Sequence, residues 1–425
     1  MPHPFAFRSA SSIGLVGLLV FACILAVADI TTAQSSSDRG KDDSSSKSSS
    51  GFQFADLVGK KIDVQTKRNY YRNAEVEEVE PGKVENSVKH FKLTDGKKSV
   101  RVVAAKIVEI HLDGRNLDVA YDKKNRSLVQ DLDKRAERLK FEKETNARLN
   151  PQGFRLWKHL TVKQEEKFLY NQARFIKDAK AKLPGVDFRQ VETKYFSFVT
   201  DLGPAEADGY IAYLDEMYAE LCKAFGLPPE KNIWAGKCVV FAFRLKETYV
   251  DFEAKVMSAN PAVVANTQGL CHQNSDGNVI FAGYKGKNDF FGHVLVHETS
   301  HGFVHRYLSS ARAPSWLNEG MADWLADKVV GGTKIKVRQR ESAAQVKQSK
   351  DWGDVLNIPR IGDYQYGICS VLVEILVARD KGKGRFKEFF DSMKEGQSAQ
   401  QALKDHFGIT YAELTGMYGQ TIAGW

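Results

Sequence analysis

GHVLVHETSHGFVH, residues 292–305, sets His293, His297, His301 and His305 at intervals of four. On a helix that interval stacks side chains along one face, because about 3.6 residues make a turn. Each step of four also advances the side chain by about 40° around the axis, so four such histidines cannot all face one point. Only one pair encloses a carboxylate: HETSH, from His297 to His301, carries Glu298. This is the HExxH pattern, in which two imidazoles reach one metal ion and the glutamate can take a proton from a water activated there. His293 is followed by Val294 and His305 by Arg306. Both are therefore expected to pack or hydrogen-bond beside the site, with substrate contact as the alternative.

A catalytic zinc needs a third protein ligand and an open fourth position. After a break at SSARAP, the segment SWLNEGMADWLA (315–326) reads as a second helix, with Ser315 as N-cap, Glu319 one turn inside and Asp323 four residues further on the same face. Glu319 is the candidate third ligand. Asp323 is placed to accept the free ring N–H of a ligand histidine, fixing its tautomer and raising its basicity.

Working outward, the 425-residue chain is 43% hydrophobic and 11% aromatic, which suits two or three domains with sizeable cores. Arg8 precedes an apolar run from Ile13 to Ala28, and residues 1–33 read as a signal peptide. A secreted, periplasmic or cell-envelope location is expected, with membrane attachment only if that segment is not cleaved. Residues 34–50, QSSSDRGKDDSSSKSSS, hold no aliphatic or aromatic residue and read as a disordered Ser-rich linker. Export permits disulfides among Cys222, Cys238, Cys271 and Cys369, and buried free thiols are the open alternative.

Residues 51–122 show period-two segments, KIDVQT, AEVEEVE, HFKLTD, SVRVVAA and IVEIHL, broken by PG and DG turns. That pattern predicts a small antiparallel barrel or sheet. Residues 123–185 are helical in pattern and read as a charged linker; positions 126–182 carry 15 Lys and Arg against 8 Asp and Glu. The acids are interspersed at helical spacings, which describes a solvated face, and no nucleic acid is expected as a partner. From 186 to 425 strand-like runs such as KCVVFAFRL and GNVIFAGY give way to helices, an α+β arrangement. The run Val279 to Tyr284, just before the HETSH helix, is expected to be an edge strand able to pair with an extended peptide.

HETSH followed by WLNEGMAD resembles the gluzincin metallopeptidases, and residues from about 190 onward resemble the peptidase MA-like proteins found in bacteria. The resemblance implies a thermolysin-like zincin catalytic domain, with Zn2+ held by His297, His301 and Glu319, Glu298 as general base and Asp323 behind the ligands. DYQYGICSVLVEILV (363–377) resembles the YxxG helix start that supplies a tyrosine donor in related aminopeptidases, which selects Tyr364, with Tyr366 as the alternative. The GAMEN segment of those enzymes is absent, so aminopeptidase activity is not implied. The interval from His301 to Glu319 is slightly shorter than in thermolysin-like members. GKKIDV (59–64) and KLTDGKKSVRV (92–102) are similar to SH3-like small barrels, which implies a peptide or cell-envelope ligand for the first domain. The expectation is a secreted zinc metallopeptidase acting on a peptide or protein. The alternative is a non-catalytic zinc-containing scaffold or envelope-binding protein.

Overall fold

The computed structural model describes residues 52–287 and 290–425. The expected signal peptide and Ser-rich linker lie outside the described residues. No helix among the described residues is long and apolar enough to cross a membrane.

Eight strands form the N-terminal antiparallel sheet: β1 (Lys61–Thr66), β2 (Tyr70–Pro81), β3 (Ser87–Thr94), β4 (Ser99–Val103), β5 (Ile107–Leu112), β6 (Arg115–Asn116), β7 (Val119–Asp122) and β8 (Ser127–Gln130). Their order is β6-β5-β1-β2-β3-β8-β7, with β4 also on β3. Register shifts between Ile62 and Val64, Val76 and Glu78, and Glu80 and Pro81 mark bulges. Bulges bend a strand and increase its twist, so the sheet curls around Ile62, Val64, Val76, Phe91, Leu93 and Leu128. Burying a side chain such as Phe91 contributes roughly 1.5–3 kcal/mol. The sheet does not stop at residue 122: β8 pairs with both β3 and β7 and carries it to Gln130.

Two helices follow, α1 (Leu132–Leu149), capped by Asp131, and α2 (Val162–Ala181), opened by a capping box between Thr161 and Gln164. Then come β9 (Arg189–Glu192), β10 (Phe196–Thr200), α3 (Pro204–Ala224), β11 (Cys238–Phe243), α4 (Lys246–Lys255), α5 (Pro261–Val264), β12 (Gly269–Gln273) and β13 (Val279–Tyr284). The C-terminal part is helical: α6 (Phe291–Arg306), α7 (Ser315–Val330), α8 (Lys334–Ser349), α9 (Gln365–Asp380), α10 (Arg385–Lys394), α11 (Ala399–Phe407) and α12 (Tyr411–Ala423). The whole is a mixed α+β chain.

The five strands run in the order β12-β13-β11-β10-β9. β10, β11 and β13 are parallel, and β9 and β12 pair antiparallel at the two edges. Alternate residues serve two cores. Phe196, Phe198, Val240 and Phe281 face α3, α6, α7 and α9, while Val199, Val239, Phe241 and Ile280 face α2 and α4. Helices on both faces explain why CVVFAF is apolar without interruption.

Two expectations are corrected. Val279–Tyr284 is an interior strand, and the edge beside α6 is β12; apolar runs report burial but not pairing partners. The segment read as a linker contributes α2 to the sheet's far face, through Ile176, Ala179 and nearby Leu183. The Gln172 amide nitrogen also donates to the carbonyls of Ala235 and Lys237, both at 2.8 Å. Most charges of α2 are exposed, and Glu165 near its start pairs with Arg72 of β2. Cys222, Cys238, Cys271 and Cys369 are free thiols.

Candidate metal centre

α6 is buried nearly all round, as expected of a helix enclosed by a sheet and other helices. Gly302 permits this seat, because a Cβ there would run into the Val279 side chain. α7 begins at Ser315 with Pro314, not Ser315, at the cap position, and the Ser315 hydroxyl donates to the Pro359 carbonyl at 2.6 Å. Gly320 brings α7 against α9, where a Cβ would meet the Cys369 carbonyl. One nearby lysine ties down the turn between α6 and α7. Lys394, fully buried, donates to the carbonyls of Val304 at 2.8 Å and Ala311 at 2.6 Å. Burial pulls its pKa well below the usual lysine range.

His297, His301 and Glu319 converge, each offering a ligand atom within 4.8 Å of the others, and all three are buried. The two imidazoles are nearly perpendicular, 87° apart, with ring centres at 4.8 Å. His297 Nδ1 lies 2.8 Å from Asp323 Oδ1, and its Nε2 lies 3.1 Å from Glu319 Oε2. Asp323 Oδ2 accepts from Arg338 Nη1 at 2.7 Å. The chain of contacts is thus Arg338, Asp323, His297, Glu319.

The electrostatics favour positive charge at this point. Burial alone would lower the His297 pKa, but the hydrogen bonds and charges of Asp323 and Glu319 outweigh it and raise it to about 10. Burial would raise Glu319, yet the charge of His301 and the hydrogen bond and charge of His297 hold it well below the usual carboxylate range. Asp323 is likewise lowered against its burial, by Arg338 and His297.

His301 tests whether these residues suit a cation. It is 5% exposed, and neither ring nitrogen makes a hydrogen bond among the described residues. Its Nε2 stands 3.5 Å from Glu319 Oε2, too long for a good hydrogen bond. A buried imidazole left this way costs about 1–3 kcal/mol, and ligation of one of its nitrogens by an ion between His297, His301 and Glu319 would offset part of that cost. The donor set, two imidazoles and a carboxylate, is the kind that holds a metal ion.

A cavity of about 680 Å3 opens beside the cluster, with Glu298, His301, Glu319 and Tyr366 on its wall. Leu270, Cys271 and Gln273 of the edge strand β12 form another part of the wall. The outer histidines separate as their angular drift requires. His293 stacks on Phe290 and its Nε2 meets the Gly331 carbonyl at 2.8 Å. His305 reaches the cavity wall, with its Nε2 3.3 Å from the Asn274 carbonyl.

Tyr364 is not brought to the cluster. It occupies the cap position of α9, and its hydroxyl lies beside Gly353, where an added Cβ would stand 2.6 Å from it. Tyr366 takes the cavity wall, its ring 6.2 Å from that of His297. Positions two apart on a helix point about 200° apart, so only one of the pair can face inward. Sequence reading missed Arg338 and Lys394. The one available signal was that a buried Asp323 requires a cationic partner, and the many basic residues of α8 gave no means of choosing among them.

No family model matches this chain, and no curated protein matches it.

Proposed function

We propose that this protein is a zinc-dependent metallopeptidase of the gluzincin type, with a thermolysin-like catalytic domain following an SH3-like small barrel. The observation that carries the reading is the buried convergence of His297, His301 and Glu319 beside an open cavity whose wall holds His301, Glu319 and Glu298. Two nitrogens and one carboxylate oxygen with an accessible fourth side are the ligand set of a catalytic zinc rather than of a closed structural one. Zinc held there acts as a Lewis acid toward the scissile carbonyl and makes an adjoining water more acidic.

The chain's own residues supply the remainder. Glu298 takes the proton of the attacking water and passes it to the departing amine nitrogen. Tyr366, in place of Tyr364, donates a hydrogen bond to the oxygen that gains charge. Asp323 keeps the His297 Nδ1–H directed away from the ligand cluster, and Arg338 keeps Asp323 ionised. An extended peptide fits along β12, whose outer side is not paired with another strand among the described residues, so main-chain pairing would align the scissile bond with the cluster. The N-terminal segment fits an exported protein, and the curled sheet fits a module that holds a peptide or envelope ligand near the active site.

Metal analysis combined with digestion of casein, with and without a chelator, tests this reading. Bound zinc and chelator-sensitive cleavage are expected. Glu298→Gln should retain the metal and lose about 10²-fold or more of the activity. Zinc without any cleavage would replace the reading with a non-catalytic binding protein.

A further inference from the structure

A second cavity, of about 410 Å3, lies in the seam between the N-terminal sheet, the start of α2 and the end of α6, and shares no wall residue with the first. Two of its cations are held without a carboxylate. Arg306, 7% exposed, donates its Nε–H to the Ile233 carbonyl at 3.0 Å, and its guanidinium carbon lies 4.4 Å from the Trp157 ring centre. Lys231 donates only to a neutral acceptor, Gln65 Oε1, at 2.9 Å. Neither forms an ion pair among the described residues. Burial lowers the pKa of Lys231 against the charge of Glu109, and lowers that of Arg306 to about 10 against the charge of Asp276, as expected where a cation loses more from desolvation than its surroundings return.

The nearest strong acid cluster is already engaged elsewhere. Glu165 binds Arg72, and Asp63 binds Arg72 and His159. Glu109 and Glu230 are also on the wall; the charge of Glu109 acts on Lys231, but neither carboxylate forms an ion pair with Lys231 or Arg306 among the described residues. A cation withdrawn from water is ordinarily paired with an anion, and neither Lys231 nor Arg306 has an ion pair among the described residues.

We propose that the seam cavity binds a compact oxyanion group of a small molecule, a phosphate or a carboxylate pair, through Lys231 and Arg306. Arg306 is the last residue of α6 and Lys231 reaches Gln65 of β1. The ligand therefore bridges the N-terminal sheet and the helix carrying His297 and His301. The proposal does not depend on the metal centre being catalytic.

Isothermal titration and thermal melting of the full chain at constant ionic strength, with inorganic phosphate in one series and succinate in another, test it. Saturable binding of at least one, with a rise in melting temperature, is expected; phosphate alone assigns a phosphate-bearing ligand and succinate alone a dicarboxylate. Lys231→Met removes one charge-assisted donor and should weaken that binding about tenfold. Arg306→Gln removes the other charge and should weaken it likewise, which covers the case in which Lys231→Met fails to fold. No saturation with either ion overturns the proposal. So does an affinity unchanged in the folded variants, which would put the anion at the metal centre or on the outer surface.

Discussion

Replacing Asp323 by Asn tests whether the metal centre is held from behind. The substitution keeps the shape of a side chain that is 2% exposed and removes its charge. Two contacts change: the one with His297 Nδ1 at 2.8 Å and the one with Arg338 at 2.7 Å. An amide can still accept from His297, but it holds the ring less firmly and no longer raises the basicity of the far nitrogen. Loss of such a partner typically lowers metal affinity about 10- to 100-fold, which is about 1.4 to 2.7 kcal/mol. Arg338 also loses its carboxylate. Its side chain keeps 22% exposure, so water recovers part of that loss and the folding penalty should stay below the roughly 3–5 kcal/mol seen for fully buried pairs. Competition with a chromogenic zinc chelator at fixed pH gives the affinity, and urea unfolding of the metal-free protein gives the stability. A zinc affinity within about twofold of wild type would refute the orienting role of Asp323. Absence of zinc binding in the wild-type protein would instead remove the metallopeptidase reading.

Tyr366→Phe should lower kcat about 10²-fold with metal content unchanged, whereas Tyr364→Phe should leave peptide hydrolysis intact; the reverse ranking would reinstate Tyr364. Gly320→Ala places a methyl group against the Cys369 backbone, which has no flexible end to yield, and should cost about 1–3 kcal/mol in a denaturant titration. His111, stacked on His159 with ring centres 4.1 Å apart, has its pKa lowered to about 3 by burial and by the charge of His159. Its unfolded form, with a pKa near 6.5, therefore binds a proton that the folded form rejects. Stability should fall as pH drops from about 6.5 toward 3, and His111→Phe should flatten that limb of the unfolding curve.

The ligand cluster was legible because its logic is local. The His297 to His301 spacing puts two rings on one side of any helix, and Glu319 and Asp323 repeat that spacing on the next. The same rotation that pairs His297 with His301 carries His293 toward Gly331 and His305 toward Asn274. The N-terminal sheet was legible from period-two alternation, since that period is a property of the strand itself. Its extension through β8 was not, because Ser127–Gln130 is recognisable as a strand only through its pairing with β3 and β7.

What depends on long-range packing did not appear in the sequence. Strong charge on α2 suggested a linker, yet Ile176 and Ala179 meet the sheet across a gap of many residues. The apolar run of β13 suited an edge strand or an interior one equally, and only the parallel pairing with β11 decided it. Tyr364 and Tyr366 differ by half a turn, so the docking of α9 on α7 selected between them. Arg338 and Lys394 were invisible for the same reason, since each acts on a partner that another helix delivers. By itself, then, the sequence determined which residues can hold the ion, because helical periodicity is built into neighbouring positions. Only the tertiary structure decided which tyrosine, which strand edge and which cations surround them, because those choices are made by helix and sheet packing between segments distant in the chain.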